Sequence, residues 1–327
     1  MDIFDEVPMI EDINNFYDTF NIQVNKKQRT INAVKQNSLL RKLQDKLLKN
    51  FLENIPLSDC VCGFVKGKNY LDFLIPHCEK KYFLRIDIKD FFNSLKEKSV
   101  RENIREYIDI KEKDEKENVL DEIVAITTLN GSLPQGAITS PQLSNILMRR
   151  IDIRIRKYCE KFKVEYTRYA DDMLFSSDSN EIHKSFFIGK LKEILKDMDL
   201  RINSKKVIKT NEKIILNGYV VSHNISLTRK KLKKLNTLLY AFEYKGSLKK
   251  YPLTFSEYIR RLQLVNPSLI DLSRGDDWSK IQIINYLAGY RSFLLSFNSL
   301  SIKDYTCNFS NRIKRTEKML ETLSILK

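Results

Sequence analysis

The segment TRYADDMLFSS, from Thr167 to Ser177, places two carboxylates side by side in an otherwise strand-like stretch. Thr, Tyr, Met, Leu and Phe suit a pleated, half-buried surface, whereas Asp is depleted in strands. Successive strand residues point to opposite faces, so Asp171 and Asp172 can face one ligand only if the backbone turns between them. The segment therefore predicts a hairpin whose tip carries a functional pair of aspartates, although an Asp-Asp pair taken alone is usually a solvated turn.

A third carboxylate, Asp87, lies near the end of the apolar strand KYFLRIDI, just before a predicted helix. If the two strands are neighbours, three carboxylates converge, and two unit charges ~4 Å apart repel by roughly 4 kcal/mol at an effective dielectric of 20. Such a cluster needs cations, and oxygen ligands select Mg²⁺ or Mn²⁺ over zinc. Two ions ~3.5–4 Å apart can activate a 3′-hydroxyl and stabilise a pyrophosphate leaving group.

Composition indicates a globular protein that binds a polyanion. The chain has 327 residues, 42% of them hydrophobic, which suits two or three lobes. Lys and Arg number 57 against 42 Asp and Glu, a net charge of +15 that favours nucleic acid or an acidic membrane surface. Residues 225–327 contribute +11 of this charge, so we place a domain boundary and most of the basic partner surface there.

Cysteine usage and hydropathy indicate the compartment. The five cysteines are odd in number and form no CxxC pair, which favours unpaired thiols in a reducing environment over a disulfide framework or a zinc site. No apolar run reaches the ~18 residues of a spanning helix, and no signal peptide is visible. We therefore expect a soluble, cytoplasmic protein without a membrane partner.

Local patterns predict the elements that position these residues. Apolar spacing predicts a helix over 39–55, and Pro141 suits the first turn of a second helix. The segment IILNGYVVSHNISL predicts a β-hairpin, and the basic region from Thr228 onward is predicted to be helical.

Four segments in order resemble the motifs of the reverse transcriptases. RIDIKDFF resembles the first palm motif, LPQGAITSPQLSN the second, YADD the third and LRINSKKVIKT the fourth, over roughly residues 25–225. The resemblance implies an α+β right-hand polymerase with fingers, a palm built on a small antiparallel sheet, and a helical thumb. The implied boundaries are 1–79 for the N-terminal segment and fingers, 80–225 for the palm with a finger-side insertion at about 108–132, and 226–327 for the basic thumb.

The same resemblance assigns roles to individual residues. Asp87, Asp171 and Asp172 would hold two Mg²⁺ ions, with Mn²⁺ as the alternative, and Lys206 would protonate the leaving pyrophosphate. Phe92 matches an aromatic gate that excludes the 2′-hydroxyl, although one of Phe91 and Phe92 is expected to be core. The residues expected to contact the deoxynucleoside triphosphate are Arg29, Phe92, Gln135 and Gly136.

Basic side chains are expected to bind the nucleic acid through its phosphates, which supply affinity without sequence information. Two lie in the loop CGFVKGKN and the others in the thumb: Lys66, Lys68, Lys230, Lys231, Arg291, Arg312 and Arg315.

Within the family, the chain most resembles the bacterial retron type. That likeness implies a structured non-coding RNA as template and primer, synthesis from an RNA 2′-hydroxyl, an RNA–DNA product, and a role in antiphage defence with an effector encoded nearby. Two retron signatures are altered: Asn-Ala-x-x-His reads FLIPH, keeping His77, and Val-Thr-Gly reads LNG, keeping Gly218.

These departures leave alternatives open. One is a defence-associated or group II intron-like enzyme with different priming. Another is an RNA-binding scaffold with an idle palm, which the intact Asp87, Asp171, Asp172 and Gln135 disfavour. An RNA-directed RNA polymerase is disfavoured by Phe92 and YADD.

Overall fold

The computed structural model describes residues 13–24, 27–243, 251–252, 254–266, 276–298 and 303–326. The chain divides into two compact units, Met1–Glu212 and Lys213–Lys327. The strands are β1 (Tyr17–Val24), β2 (Lys27–Val34), β3 (Tyr82–Asp87), β4 (Glu165–Tyr169), β5 (Asp172–Ser177), β6 (Ile208–Asn211), β7 (Ile214–Leu216), β8 (Tyr219–Val221) and β9 (Ile225–Leu227).

The α-helices are α1 (Leu39–Asn50), α2 (Tyr70–Leu74), α3 (Phe91–Ser94), α4 (Glu97–Ile104), α5 (Lys113–Thr127), α6 (Ser140–Glu160), α7 (Ser185–Lys196), α8 (Arg229–Phe242), α9 (Phe255–Val265), α10 (Asp276–Leu295) and α11 (Ser310–Ile325). Helices thus combine with small antiparallel sheets, which confirms the predicted α+β class. The finer division into fingers, palm and thumb stays a prediction.

The central sheet of the first unit has the strand order β4–β5–β3–β6, and each neighbouring pair is antiparallel. Strand β5 is buried almost throughout, because Met173, Leu174 and Phe175 bring apolar side chains to both of its faces. Helix α6 packs against β4 and α7. A sheet buried in this way holds the strand ends, and the aspartates on them, in fixed register.

Helix α6 begins where its proline predicts. Pro141 lies in the first turn, where a missing backbone N–H leaves no helical bond unmade. Leu143, Leu147, Ile151 and Ile155 follow at four-residue steps and are all buried, so one apolar stripe anchors the helix in the core.

Helix α1 is shorter than the predicted 39–55. It begins at Leu39, after Ser38 accepts a hydrogen bond from the backbone N–H of Arg41, and it ends at Asn50. Phe51 leaves the helical region with φ −128°, and a 3₁₀ turn over Leu52–Asn54 follows. Ile55, the residue before Pro56, is extended, so the 3₁₀ turn ends there and the helical geometry does not reach the end of the predicted range.

The segment predicted as one hairpin in the second unit forms three strands. β7 pairs with β8 and β8 with β9, all antiparallel. Asn217 and Gly218, with φ of 49° and 84°, make a tight first turn, and Ser222–Asn224 make the second. The prediction missed the second turn because it lacks a glycine. Thr228 then caps α8 by accepting a hydrogen bond from Lys231 N, and the remaining described elements are mostly helical, as predicted.

Candidate active site

The predicted hairpin is present, and its tip separates the two aspartates. β4 pairs with β5 so that Tyr169 lies opposite Asp172, which leaves Ala170 and Asp171 as a two-residue turn. Ala170 has φ +55°, the left-handed conformation that a tight hairpin turn requires. The turn places Asp171 off the strand while Asp172 remains within it.

Strand β3 brings the third aspartate to this turn. Asp87, its last residue, pairs with Asp172 in the sheet register. The next backbone N–H, that of Ile88, donates to the carbonyl oxygen of Asp171 at 3.0 Å. The two strands are therefore neighbours, as the convergence of carboxylates requires.

A cavity of about 410 Å³ joins six of the eight residues predicted for catalysis and nucleotide binding, namely Arg29, Asp87, Phe92, Gln135, Asp171 and Lys206. Asp87 is buried and accepts hydrogen bonds from Asn203 Nδ2 at 3.0 Å and from Lys206 Nζ. Prediction had not singled out the other polar residues of the lining: Gln28, Thr30, Asp90 and Asn93.

Asp172 faces a cation instead of this cavity. Its Oδ1 accepts from Arg85 Nε at 2.9 Å and Nη2 at 2.5 Å, and Asp172 is absent from the cavity lining found among the described residues. Arg85 was not foreseen as part of the site. Its sequence position could have indicated this role. Arg85 is a charged residue in an otherwise apolar strand, two residues before Asp87, so both side chains point to the same face of the sheet.

The carboxylates are electrostatically coupled. Burial, together with the Asp172 and Asp87 charges, raises the pKa of Asp171 to about 6. Burial also raises the pKa of Asp172, although Arg85 opposes this rise. A buried cluster of negative charge such as this favours a bound cation.

The far wall of the cavity comes from the β1–β2 hairpin and the LPQGA loop. Arg29 lies on β2, opposite Ile22. The Asn32 backbone N–H donates to the Gln135 carbonyl oxygen at 2.9 Å. Gly136 has φ +130°, and a Cβ there would lie 2.6 Å from the carbonyl oxygen of Asn32, so this contact requires glycine.

The two adjacent phenylalanines differ in burial, and both line the cavity. Phe91 is buried, whereas Phe92 is partly buried and packs its ring against Phe91 with centroids 5.4 Å apart. The position of Phe92 suits the predicted gate, and its role stays a prediction.

A buried ion pair underlies the hairpin. Arg168 on β4 donates to both carboxylate oxygens of Asp152 on α6, from Nε at 2.9 Å and Nη2 at 2.7 Å, and both side chains are fully buried. Its Nη1 donates to the Ala170 carbonyl oxygen at 3.1 Å and to Asn145 Oδ1 at 3.2 Å. The Arg168 guanidinium therefore connects α6 to the turn that carries Asp171.

His77, the retained residue of the altered signature, is a buried clamp between β4 and β5. Its Nε2 lies 2.8 Å from Thr167 Oγ1 and its Nδ1 lies 2.7 Å from Ser176 Oγ. Because the Thr167 hydroxyl donates to the Phe73 carbonyl, it accepts from Nε2–H, which sets the tautomer. Burial lowers the pKa of His77 to about 3. The imidazole is fully buried and joins the two strands through these hydrogen bonds.

Comparison with known proteins identifies the family. The family model described as reverse transcriptase (RNA-dependent DNA polymerase) matches residues 22–236, well over half of the chain. The chain belongs to the reverse transcriptase family. It is accordingly an enzyme of the RNA-directed DNA polymerase class, which takes an RNA template and generally uses divalent metal ions.

The curated relatives are retron reverse transcriptases. The chain is 26% identical over 221 residues to the Escherichia coli retron Ec83 reverse transcriptase, which covers 62% of this chain and 69% of that one. It is 31% identical to the E. coli retron Ec86 reverse transcriptase, covering 66% and 65%. It is 22% identical to the Salmonella heidelberg retron Se72 reverse transcriptase, covering 97% and 86%. The reverse transcriptase is thus of the bacterial retron type, as predicted.

Among solved structures, apo telomerase from Candida tropicalis aligns with a TM-score of 0.51 at 11% identity, covering 94% of this chain and 62% of that one. This likeness supports the polymerase fold alone. Among the described residues, no helix combines the length and apolar character needed to cross a membrane.

The metal site expected of the reverse transcriptase is incomplete among its described side chains. Among its described residues, no three His, Cys, Asp or Glu side chains converge to enclose an ion. Magnesium commonly binds through one or two carboxylates and completes its shell with water and substrate phosphates. Asp87, which is buried, and Asp171, which is partly buried, both line the cavity and fit that pattern.

The basic residues expected to bind RNA differ in their availability. Lys66, Lys68 and Lys230 are exposed. Five of the seven residues also make contacts within their own units. Lys68 donates to the backbone carbonyls of Asp59 and Val61, and Lys231 lies 3.9 Å from the ring centroid of Tyr219.

The three arginines of the predicted thumb also have protein partners. Arg291 pairs with Glu317, Arg315 makes two hydrogen bonds to Glu243, and Arg312 donates to Asn236. Their predicted contact with phosphates stays a prediction.

Proposed function

We propose that this reverse transcriptase copies a structured non-coding RNA into DNA, starting from a 2′-hydroxyl of that RNA. The observation that carries the proposal is the single cavity that joins Asp87 and Asp171 to Arg29, Gln135 and Phe92. Carboxylates, a phosphate-binding fork, a polar loop and an aromatic gate are the groups that template-directed addition of a deoxynucleotide needs.

The position of each side chain in the cavity suggests its role in the reaction. Arg29 would bind the triphosphate of the incoming deoxynucleotide bidentately. Gln135 and Gly136, held against β2, would contact the nucleotide and the template. Phe92 would exclude ribonucleotides by contact with a 2′-hydroxyl. Lys206, at hydrogen-bonding distance from Asp87, would donate a proton to the leaving pyrophosphate.

Two divalent ions, Mg²⁺ or Mn²⁺, would be held by Asp87 and Asp171, with Asp172 beside them. When bound, the ions would lower the pKa of the attacking hydroxyl and stabilise charge on the leaving group. Asp172 would keep its ion pair with Arg85. That pair would hold the Asp172 carboxylate beside the other two carboxylates but outside the cavity lining.

The RNA partner follows from charge and from the relatives. Residues 225–327 carry a net +11, which suits the phosphates of a folded RNA. The relatives are named as retron enzymes, so we propose an RNA–DNA product in a retron-type antiphage system with an effector encoded nearby. The changed FLIPH segment does not oppose this proposal, because its retained His77 is buried in the sheet.

The test is to sequence the nucleic acid that copurifies with the protein, expressed with its neighbouring genomic sequence. Wild type is compared with Asp171→Asn and with Asp178→Asn, an exposed aspartate beyond the end of β5. We expect wild type and the control variant to carry DNA joined 2′–5′ to one RNA, and Asp171→Asn to carry the RNA alone.

Two results would contradict different parts of the proposal. DNA without the 2′–5′ branch would leave a polymerase with another primer. RNA without DNA in all three proteins would point to an RNA-binding scaffold.

A further inference from the structure

We infer that Phe64 is the surface on which the first unpaired base of the template stacks, and that the cleft beside it receives the single-stranded template RNA. This inference rests on the proposed copying of RNA and adds a template subsite to it. The subsite lies outside the cavity that holds Asp87 and Asp171.

The backbone at Phe64 is in a conformation that a phenylalanine rarely adopts. Its φ is +61°, in the left-handed region where a Cβ is unfavourable, and its side chain is 44% exposed. Burial of the ring therefore does little to offset the strain. Strained, exposed residues concentrate at binding and catalytic sites, where the surrounding structure holds them.

The residue before it holds Phe64 in place against the hairpin tip. A Cβ on Gly63 would lie 2.7 Å from the backbone nitrogen of Ala170, so the two backbones are in direct contact. The Gly63 carbonyl accepts from Asn145 Nδ2 at 2.9 Å, and Cys62 N donates to the Arg168 carbonyl at 2.8 Å. The position of Phe64 is thereby fixed relative to the turn that carries Asp171.

The Phe64 ring lies close to two other aromatic rings. Its centroid is 6.4 Å from that of Phe92, which lines the nucleotide cavity, and 6.3 Å from that of Tyr169, which precedes the turn. Both ring pairs are tilted. Phe64 thus borders the place where the newly paired base would lie.

On its other side, Phe64 lines a cleft of about 660 Å³. The cleft is also lined by Ile138, Pro141 and Gln142, which follow the Gln135–Gly136 loop in the chain. The continuous segment 135–142, a loop and the first turn of α6, therefore borders both the nucleotide cavity and the cleft. A template strand leaving the paired position would pass Phe64 and enter the cleft.

The chemistry of the cleft suits single-stranded RNA. Val65, Ile138 and Pro141 supply apolar surface for bases. The exposed Lys66 supplies positive charge for phosphate. Glu53 and Asp59 also line the cleft, and Asp59 is paired with Arg156. An aromatic platform beside a basic side chain is the usual arrangement for binding unpaired bases without sequence preference.

The experiment uses a primer–template with 2-aminopurine at the first unpaired template base, and a blunt duplex of the same sequence. Full-length wild type is compared with Phe64→Gly, Phe64→Tyr and Phe186→Ala, the last removing a similarly exposed ring on α7. Phe64→Gly removes the ring and also relieves the strained backbone, so it should fold at least as stably as wild type.

We expect wild type, Phe64→Tyr and Phe186→Ala to quench the 2-aminopurine emission on binding. Phe64→Gly should lose the quenching and bind the overhang about 5- to 100-fold more weakly, with unchanged affinity for the blunt duplex. Unchanged quenching and affinity in Phe64→Gly would overturn the inference, as would equal weakening for both duplexes. Failure of wild type to extend the primer would instead count against the proposed function.

Discussion

Arg168 and Asp152 form an ion pair with no exposure of either side chain, and the same guanidinium donates to the carbonyl oxygen of Ala170. An interior ion pair repays the desolvation of its charges only when its geometry is good and its remaining hydrogen bonds are satisfied. Here Tyr166, Asn145 and the turn supply those bonds. The stability of the central sheet and the position of Asp171 therefore depend on one buried network.

We predict that Arg168→Met destabilises the protein by ~3–5 kcal/mol, because it leaves the Asp152 carboxylate buried and unpaired. Arg168→Met combined with Asp152→Leu should recover most of that loss. Chemical denaturation measures both changes. Arg156→Ala, which breaks exposed pairs on the same helix, is the control and should cost less than ~1 kcal/mol. A double variant no more stable than the single one would contradict this account.

His77 gives a pH-dependent contribution to stability. Its pKa is lowered to about 3 in the fold, whereas an unfolded histidine titrates near ~6.5, so the unfolded state binds the proton first as the pH falls. The contribution is complete above pH ~6.5 and declines below it, with a slope approaching ~1.4 kcal/mol per pH unit.

Unfolding free energies of wild type and His77→Asn, measured between pH 7.5 and pH 5, test this prediction. The difference between the two proteins should shrink toward the acid end. A constant difference over that range would mean that the imidazole is not held neutral.

Phe92 is predicted to discriminate against ribonucleotides. Phe92→Ala should lower the ratio of kcat/KM for a deoxynucleotide to that for the matching ribonucleotide by ~10-fold or more, since it removes the ring that borders the cavity. Single-nucleotide extension measures this ratio. Phe187→Ala is the matched control: it should cost ~3–5 kcal/mol of stability, because Phe187 is buried and does not line the cavity, and leave the ratio unchanged. An unchanged ratio in Phe92→Ala would refute the gate.

Gly136→Ala should weaken nucleotide binding. The added methyl group would meet the Asn32 carbonyl at 2.6 Å on a backbone with φ +130°, and so would push the loop away from the β2 strand. A penalty of ~1–2 kcal/mol corresponds to a KM for deoxynucleotide raised by ~10-fold. Gly189→Ala, whose methyl group would meet nothing within 4 Å, should instead stabilise the protein by ~0.5–1 kcal/mol. Equal KM values for both variants would contradict the proposed loop contact.

The amino-acid sequence by itself determined the local parts of the site. Strand-forming residues on either side of Ala170 and Asp171 predict a hairpin, because two aspartates interrupt an otherwise pleated pattern. Pro141 marks the start of α6, and the order of the four motifs identifies the class of chemistry. These features depend on neighbours in the chain, which a sequence displays directly.

Only the tertiary structure decided which side chains meet. Arg85 pairs with Asp172 across 87 positions, Gly63 contacts the turn at Ala170, and His77 joins two strands about 90 residues away. The periodicity likewise encodes neither the end of α1 at Asn50 nor the third strand of the second unit. A charge or a glycine in the sequence indicates that the residue needs a particular contact, but not which residue provides it. Burial removes water as a hydrogen-bond partner, so the partner must be another part of the protein, and the fold determines which one.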